Sequence, residues 1–190
     1  MISEWVMSEL IKNPGVMMKA NDEVRKVVGN KGRVEEDDLK RLEYLGFAIN
    51  ETLRLHPPVG LLVPRESAED RKINGYDVPK KTTVMVNAWA LGRDPKLWEN
   101  PDIFCPERFE GSPINYKGNH MQFIPFGAGR RICPGIQLAM ATITTALANI
   151  LYHFDWKLPN EMPGENIDMT ETSGFNNRKK SPLILMATPK

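Results

Sequence analysis

The apolar positions of this chain change period along its length, and the changes divide it into a helical first third, a strand-and-loop middle and a helix–strand end. Ile2, Trp5, Val6, Glu9 and Leu10 follow helical spacing, and Asn13-Pro14-Gly15 stops that helix. A second helix is predicted from Pro14, a favoured first-turn residue, with Val16, Ala20, Val24 and Val27 on its apolar face and Gly29 as its stop. The acidic run Glu35 to Asp38 suits a helix N-terminus. Leu39, Leu42, Ile49, Leu53 and Leu55 then lead to Pro57-Pro58, which ends the helix, with a break expected near Gly46.

After the prolines the pattern turns to short strands. Leu61-Leu62-Val63, Arg71 to Tyr76 with the turn Asn74-Gly75, and Thr82 to Val86 read as strands. Trp89 to Met121 is irregular and punctuated by proline. Trp89, Trp98, Phe104 and Phe109 argue that it is ordered, and an irregular segment of that length has a shaped role when it is. A last helix follows Cys133, with Leu138, Ala139, Ile143, Leu147, Ile150 and Leu151 on apolar positions. Phe154 to Leu158 and Leu183 to Ala187 read as closing strands. The fold class expected is mainly α with small β-sheets.

Composition narrows the function classes. The chain has 190 residues, enough for one domain with a real core. Its 25 basic and 24 acidic residues nearly balance, and no basic stripe points to nucleic acid. Cys105 and Cys133 form neither a disulfide framework nor a zinc motif, which suits a reducing, cytosol-facing compartment. No stretch approaches the roughly 18–20 apolar residues that span a bilayer. The start reads directly into an amphipathic helix, so neither a leader nor an anchor is expected in this chain.

The chemistry concentrates in Phe126-Gly127-Ala128-Gly129-Arg130-Arg131-Ile132-Cys133-Pro134-Gly135. Glycines let backbone approach a flat cofactor closely. A helix N-terminus and adjacent cations favour a negative sulfur. The competing reading is a glycine-rich turn before a core helix, with an inert cysteine.

The stretch resembles the haem-binding loop of the cytochrome P-450 family, Phe-x-x-Gly-x-Arg-x-Cys-x-Gly, matched by Phe126, Gly129, Arg131, Cys133 and Gly135, with Ala139 at the alanine that usually follows. The resemblance implies that Cys133 is the axial ligand of haem b (iron protoporphyrin IX). It implies that Arg131 pairs with a propionate and Phe126 packs beside the sulfur. Arg65 aligns with another propionate-pairing position, for which a surface salt bridge is the rival reading.

Two further segments carry the resemblance. Glu51-Thr52-Leu53-Arg54 precedes Leu55-His56-Pro57-Pro58, and Pro106-Glu107-Arg108-Phe109 follows. In the family the first pair and the later arginine meet in a buried ionic cluster, so Glu51, Arg54 and Arg108 are assigned to it, with an architectural role. The turn Val59-Gly60-Leu61-Leu62-Val63 and the loop Ser173-Gly174-Phe175 match segments that line the family's substrate pocket, with Val59, Leu61 and Phe175 as its candidates, against ordinary packing as the alternative. His56, His120 and His153 show no metal-ligand spacing, and His56 reads as a satisfied structural residue.

Such resemblance implies a haem-thiolate monooxygenase that inserts one oxygen atom of O2 into a small apolar metabolite. Its electrons come from NADPH through NADPH-cytochrome P-450 reductase, with Arg130 and Lys117 as docking candidates. Phrases such as Trp5-Val6-Met7-Ser8-Glu9-Leu10 and Tyr152-His153-Phe154-Asp155-Trp156-Lys157-Leu158 resemble plant microsomal members, which act on terpenoids and phenylpropanoids at the cytosolic face of the endoplasmic reticulum. Residues 1–190 would form the C-terminal part of one such domain. Residues 1–12 would be the tail of the long distal helix, and the proton-delivery pair, the anchor and most pocket walls would lie upstream. The alternative expectation is a truncated, non-catalytic fragment that at most binds haem and does not turn over substrate by itself.

Overall fold

A computed structural model describes residues 1–172 and 174–190. Six α-helices are assigned: α1 (Ile2–Lys12), α2 (Pro14–Val28), α3 (Glu36–Leu39), α4 (Glu43–Leu55), α5 (Ala88–Leu91) and α6 (Ile136–His153). The strands are β1 (Arg65–Glu66), β2 (Arg71–Ile73), β3 (Tyr76–Val78), β4 (Thr83–Val84), β5 (Phe154–Lys157) and β6 (Met186–Pro189). They pair antiparallel as β1–β4, β2–β3 and β5–β6, each a two-stranded sheet. The expected class, mainly α with small sheets, holds.

Helices α1, α2, α4 and α6 enclose one apolar core. Ile2, Val6 and Leu10 from α1 join Ala20, Val24 and Val28 from α2, Leu45, Ile49 and Leu53 from α4, and Leu147, Ala148 and Leu151 from α6. Each set recurs at helical spacing, so burial of one face holds each helix. The irregular middle is ordered by its own aromatic group. Phe109 and Phe123 lie 5.3 Å apart between ring centroids, and Trp98 stands about edge-on to Phe123 at 6.3 Å.

Several expectations need correction. Helix α4 runs unbroken through Gly46, whose N–H reaches the Leu42 carbonyl; the division falls earlier, at 40–42, where α3 ends. Leu61-Leu62-Val63 is a turn, not a strand. Leu62 has φ of 51°, and pairing starts only after Pro64, at Arg65. The last strand lies nearer the C-terminus, because Phe154 pairs with Pro189 and Lys157 with Met186. Trp89 is exposed, with the Arg93 guanidinium 4.1 Å from its ring. Leu138 is 75% exposed on the first turn of α6, although its spacing suggests a core position. None of the described helices is long and apolar enough to cross a membrane.

This packing distinguishes two leucines on one helix. Leu147→Ala should cost about 2–5 kcal/mol in chemical denaturation, because it empties a fully enclosed site. Leu138→Ala should change stability by no more than about 0.5 kcal/mol. Equal losses would contradict the arrangement of α6.

Candidate functional site

The cysteine segment is shaped by backbone rather than side chains. Gly127 and Gly129 have φ of 77° and 68°, which ordinary side chains resist. The Gly127 N–H donates to the Ile124 carbonyl and the Ile132 N–H to the Gly129 carbonyl, closing two successive turns. The Cys133 N–H then donates to the Phe126 carbonyl at 3.0 Å, so the loop folds back on itself and sets the sulfur at its edge. Behind it, Gly118 holds φ of 79°, and a Cβ there would come within 2.8 Å of Ile132 Cδ1 and 3.0 Å of the Gly127 carbonyl oxygen. The preceding loop therefore packs directly on the cysteine loop.

Cys133 is exposed and free, whereas Cys105 is half-buried. Gly135 is the N-cap of α6 and offers no capping side chain. A Cβ on Gly135 would sit 3.8 Å from the Cys133 sulfur, in ordinary van der Waals contact, which places Gly135 beside the sulfur. Cys133 stands just before the N-terminus of the 18-residue helix α6. Arg130 and Arg131 are exposed beside it, and Arg65 Nη2 donates to the Arg131 carbonyl at 3.1 Å, tying β1 to the loop. Phe126 packs edge-on to Tyr116 with centroids 6.0 Å apart. Ala139 closes the first turn of α6 through its N–H to the Gly135 carbonyl.

One accessible soft sulfur, glycine backbone around it and arginines at the margin suit the iron of a flat anionic macrocycle. A multidentate metal site is a different matter. Among the described residues, no group of three or more His, Cys, Asp and Glu could hold an ion.

The three charged residues of the other motifs meet. Arg54 grips Glu51 in bidentate fashion, Nη2 to Oε1 at 2.7 Å and Nε to Oε2 at 2.8 Å, with both side chains fully buried. Arg108 Nε donates to the same Oε1 at 2.9 Å, and so does the Cys105 N–H. The remaining guanidinium hydrogens go to carbonyls of the irregular segment: Arg54 to Gly92, Pro101 and Ile103, Arg108 to Glu99, Asn100 and Ile103.

A second tie is not signalled by the motifs. Glu107 Oε1 accepts from Lys19 of α2 at 2.6 Å and from the Tyr44 hydroxyl of α4 at 2.9 Å. Partial burial pulls the Glu107 carboxyl upward, but the hydrogen bonds from Lys19, Tyr44 and the backbone outweigh it and hold it at about 2. Burial and the same carboxylate push the Tyr44 phenol well up. Sequence spacing offered no clue here, since 88 positions separate Lys19 from Glu107.

Leu61 and Phe175 line one cavity of about 360 Å³, together with Gly60, Met85, Trp89 and Asn177. Val59 is not among its lining residues, and Ser173 lies outside the described residues. Lys117 is exposed on the loop before the cysteine segment. A larger concavity, about 600 Å³ between α1, α2 and β5, contains none of the candidate residues.

Two outcomes follow from these charges. Arg54→Ala leaves Glu51 buried with half its partners, so it should cost about 3–5 kcal/mol in denaturation. A loss below about 1 kcal/mol would show that the cluster does not hold the segment. Glu107 is held below the usual carboxylate range, so its contribution is full above about pH 4.5 and is lost as pH falls toward about 2. The gap in melting temperature between the native protein and Glu107→Gln should therefore close over that acid range, and a gap independent of pH would refute the tie.

The family model for cytochrome P-450 matches residues 1–186. Desmethyl-deoxy-podophyllotoxin synthase of Sinopodophyllum hexandrum is 54% identical over 97% of this chain and 36% of its own length. Premnaspirodiene oxygenase of Hyoscyamus muticus and 5-epiaristolochene 1,3-dihydroxylase of Nicotiana tabacum are each 52% identical, over 97% of this chain and 37% of their own length. The chain thus spans little more than a third of the relatives it matches. With nearly its whole length matched and about half its positions shared with these plant proteins, the chain belongs to the cytochrome P-450 family.

Proposed function

We propose that this chain supplies the thiolate-bearing half of a plant haem monooxygenase, with Cys133 as the axial ligand. The observation that carries the reading is the exposed Cys133 sulfur at the rim of a glycine-shaped loop, at the N-terminus of α6. The bound haem would activate dioxygen, and a thiolate ligand favours O–O cleavage. The protein's own residues do the rest of the work. Cys133 would present its sulfur to the iron from just before α6, with Arg130 and Arg131 exposed in the same loop. Gly127, Gly129 and Gly135 leave room for a planar ligand, and Arg131 and Arg65 offer charge to its carboxylates. Phe126 shields one side of the sulfur from water. Glu51, Arg54 and Arg108 keep the segment beneath the loop in one shape.

The proposed substrates are small apolar plant metabolites of terpenoid or phenylpropanoid type. The relatives' names, an oxygenase, a dihydroxylase and a synthase, support oxygen insertion into such molecules. Leu61 and Phe175 would form part of the pocket wall. Electrons would arrive from NADPH through NADPH-cytochrome P-450 reductase, with Arg130 and Lys117 as exposed contacts for it. The whole enzyme would work at the cytosolic face of the endoplasmic reticulum.

The haem-loaded protein tests the central assignment. Its reduced carbon-monoxide spectrum should show a thiolate signature that Cys133→Ser abolishes and Cys105→Ser preserves. A signature that survives Cys133→Ser would sink it. With reductase, NADPH and isotopically labelled dioxygen, products from a terpenoid and phenylpropanoid panel should carry a single labelled oxygen atom. Unlabelled products would exclude a monooxygenase.

A further inference from the structure

His56 lies just past α4, in the Leu-His-Pro-Pro step, and is buried between two carboxylates from distant parts of the chain. Its Nε2 is 2.8 Å from Glu9 Oε1 on α1, and its Nδ1 is 2.8 Å from Glu171 Oε1 near the C-terminus. An ionised carboxylate only accepts hydrogen bonds, and a neutral imidazole carries only one N–H. Both contacts are therefore met when the ring holds two protons, or when one carboxyl group takes up a proton itself. The ring also lies flat on Trp5, with centroids 3.9 Å apart and planes 1° apart, a stacking that favours a cation.

Other charges face the same group. Lys179 Nζ is 5.1 Å from the Trp5 ring centroid, Arg93 just beyond α5 interacts with both Glu9 and Glu171, and Glu4 and Asp168 attract Lys179. The two carboxylates are not equivalent. The Glu9 side chain is 6% exposed and that of Glu171 is 26% exposed, so the Glu171 contact is the one water can replace.

Glu171 bridges to Lys179, and the Thr172 N–H donates to the Arg178 carbonyl at 2.8 Å, so the two ends of this segment are clasped as a hairpin. The same hairpin carries Phe175 and Asn177 into the lining of the 360 Å³ cavity. Asn177 is attached to the region around His56 as well: its N–H donates to the Pro58 carbonyl at 3.0 Å, and its carbonyl accepts from Trp5 Nε1 at 3.1 Å. Two of the contacts that seat this wall, from Glu171 and from the Asn177 carbonyl, run to His56 and to its stacking partner Trp5.

We propose that His56 is the positioning residue of this wall: as an imidazolium it docks Glu171 against the end of α4 and fixes Phe175 and Asn177, and loss of its proton loosens them. This rests on the reading of the cavity as the substrate pocket. Ligand affinity would then fall as pH rises, through a group that touches neither substrate nor iron. The direction follows from the geometry, since the doubly protonated ring satisfies both carboxylates and the neutral ring leaves one of them facing a lone pair.

The sign of the effect separates the variants. Glu171→Gln brings an amide that can donate to a neutral ring or accept from a charged one, so the hairpin should stay docked at every pH. Glu171→Ala should leave it loose at every pH, and neither change lies in the core. The test follows amide hydrogen exchange of residues 168–182 in the haem-loaded protein across roughly pH 5–9, corrected for the intrinsic pH dependence of exchange. Native protein should lose protection by about tenfold as pH rises, with Glu171→Gln protected and Glu171→Ala unprotected throughout. A native profile that is flat, or a Glu171→Gln profile that falls as the native one does, overturns the proposal. The same samples titrated with an apolar terpenoid, read by the haem absorption band, should show affinity tracking protection. If protection titrates but no ligand shifts the band at any pH, the docking role is supported and the pocket reading is what fails.

Discussion

One oxygen atom of Glu51 accepts hydrogen bonds from Arg54, Arg108 and the Cys105 amide. An ionised carboxylate can be buried this fully only when most of its lone pairs are met by donors. Each donor comes from a different constraint: the turn of α4 itself, the 3₁₀ segment Pro106–Phe109, and the backbone just before it. The spare guanidinium hydrogens then fix the carbonyls of Gly92, Glu99, Asn100, Pro101 and Ile103. A stretch without regular secondary structure thus has its backbone polar groups satisfied by side chains. Gly92 is forced by the same arrangement, because a Cβ there would collide with the Arg54 carbonyl oxygen.

Order in that segment reaches the chain that leads into the cysteine loop. Phe109, held by its place beside Arg108, packs on Phe123, and Phe123 leads through Ile124 and Pro125 into Phe126. From Phe126 onward the loop holds its own shape through two closed turns and the Cys133-to-Phe126 backbone bond. Leu61, Met85 and Phe175 are exposed and line the 360 Å³ cavity, while Leu138 is exposed on the first turn of α6.

The helical frame was legible because α1, α2, α4 and α6 each bury a periodic face, and Asn13-Pro14 and Gly29 stop helices for local reasons. The cysteine loop and the Glu51–Arg54–Arg108 group were legible because their residues stand in compact motifs. What failed to show depends on contacts distant in sequence. The turn at Leu61–Val63 has strand-like composition, and only the positive φ of Leu62 and the flanking prolines decide it. Leu138 keeps core spacing although no neighbour covers it. Glu107 and His56 looked like adjuncts of their motifs, since their partners Lys19, Glu9 and Glu171 lie 88, 47 and 115 positions away.

Helix α4 connects these observations mechanically. Its first turn is capped by Glu23 of α2, which accepts from the Tyr44 and Leu45 amides, and Tyr44 reaches Glu107. Its last turns carry Glu51 and Arg54 toward the irregular segment, and the next residue, His56, turns toward α1 and the C-terminal hairpin. One rigid rod of thirteen residues thereby sets both the irregular segment and the hairpin beside the cavity. The two ends differ in kind. The Glu51 and Arg54 side chains are fully buried, and Glu51 meets Arg54, Arg108 and the Cys105 amide together. The His56 group has one partner, Glu171, whose side chain is 26% exposed, so this is the end that water reaches. At neighbouring turns, α4 therefore makes one buried contact that orders the irregular segment and one partly open contact that joins the C-terminal hairpin to α1.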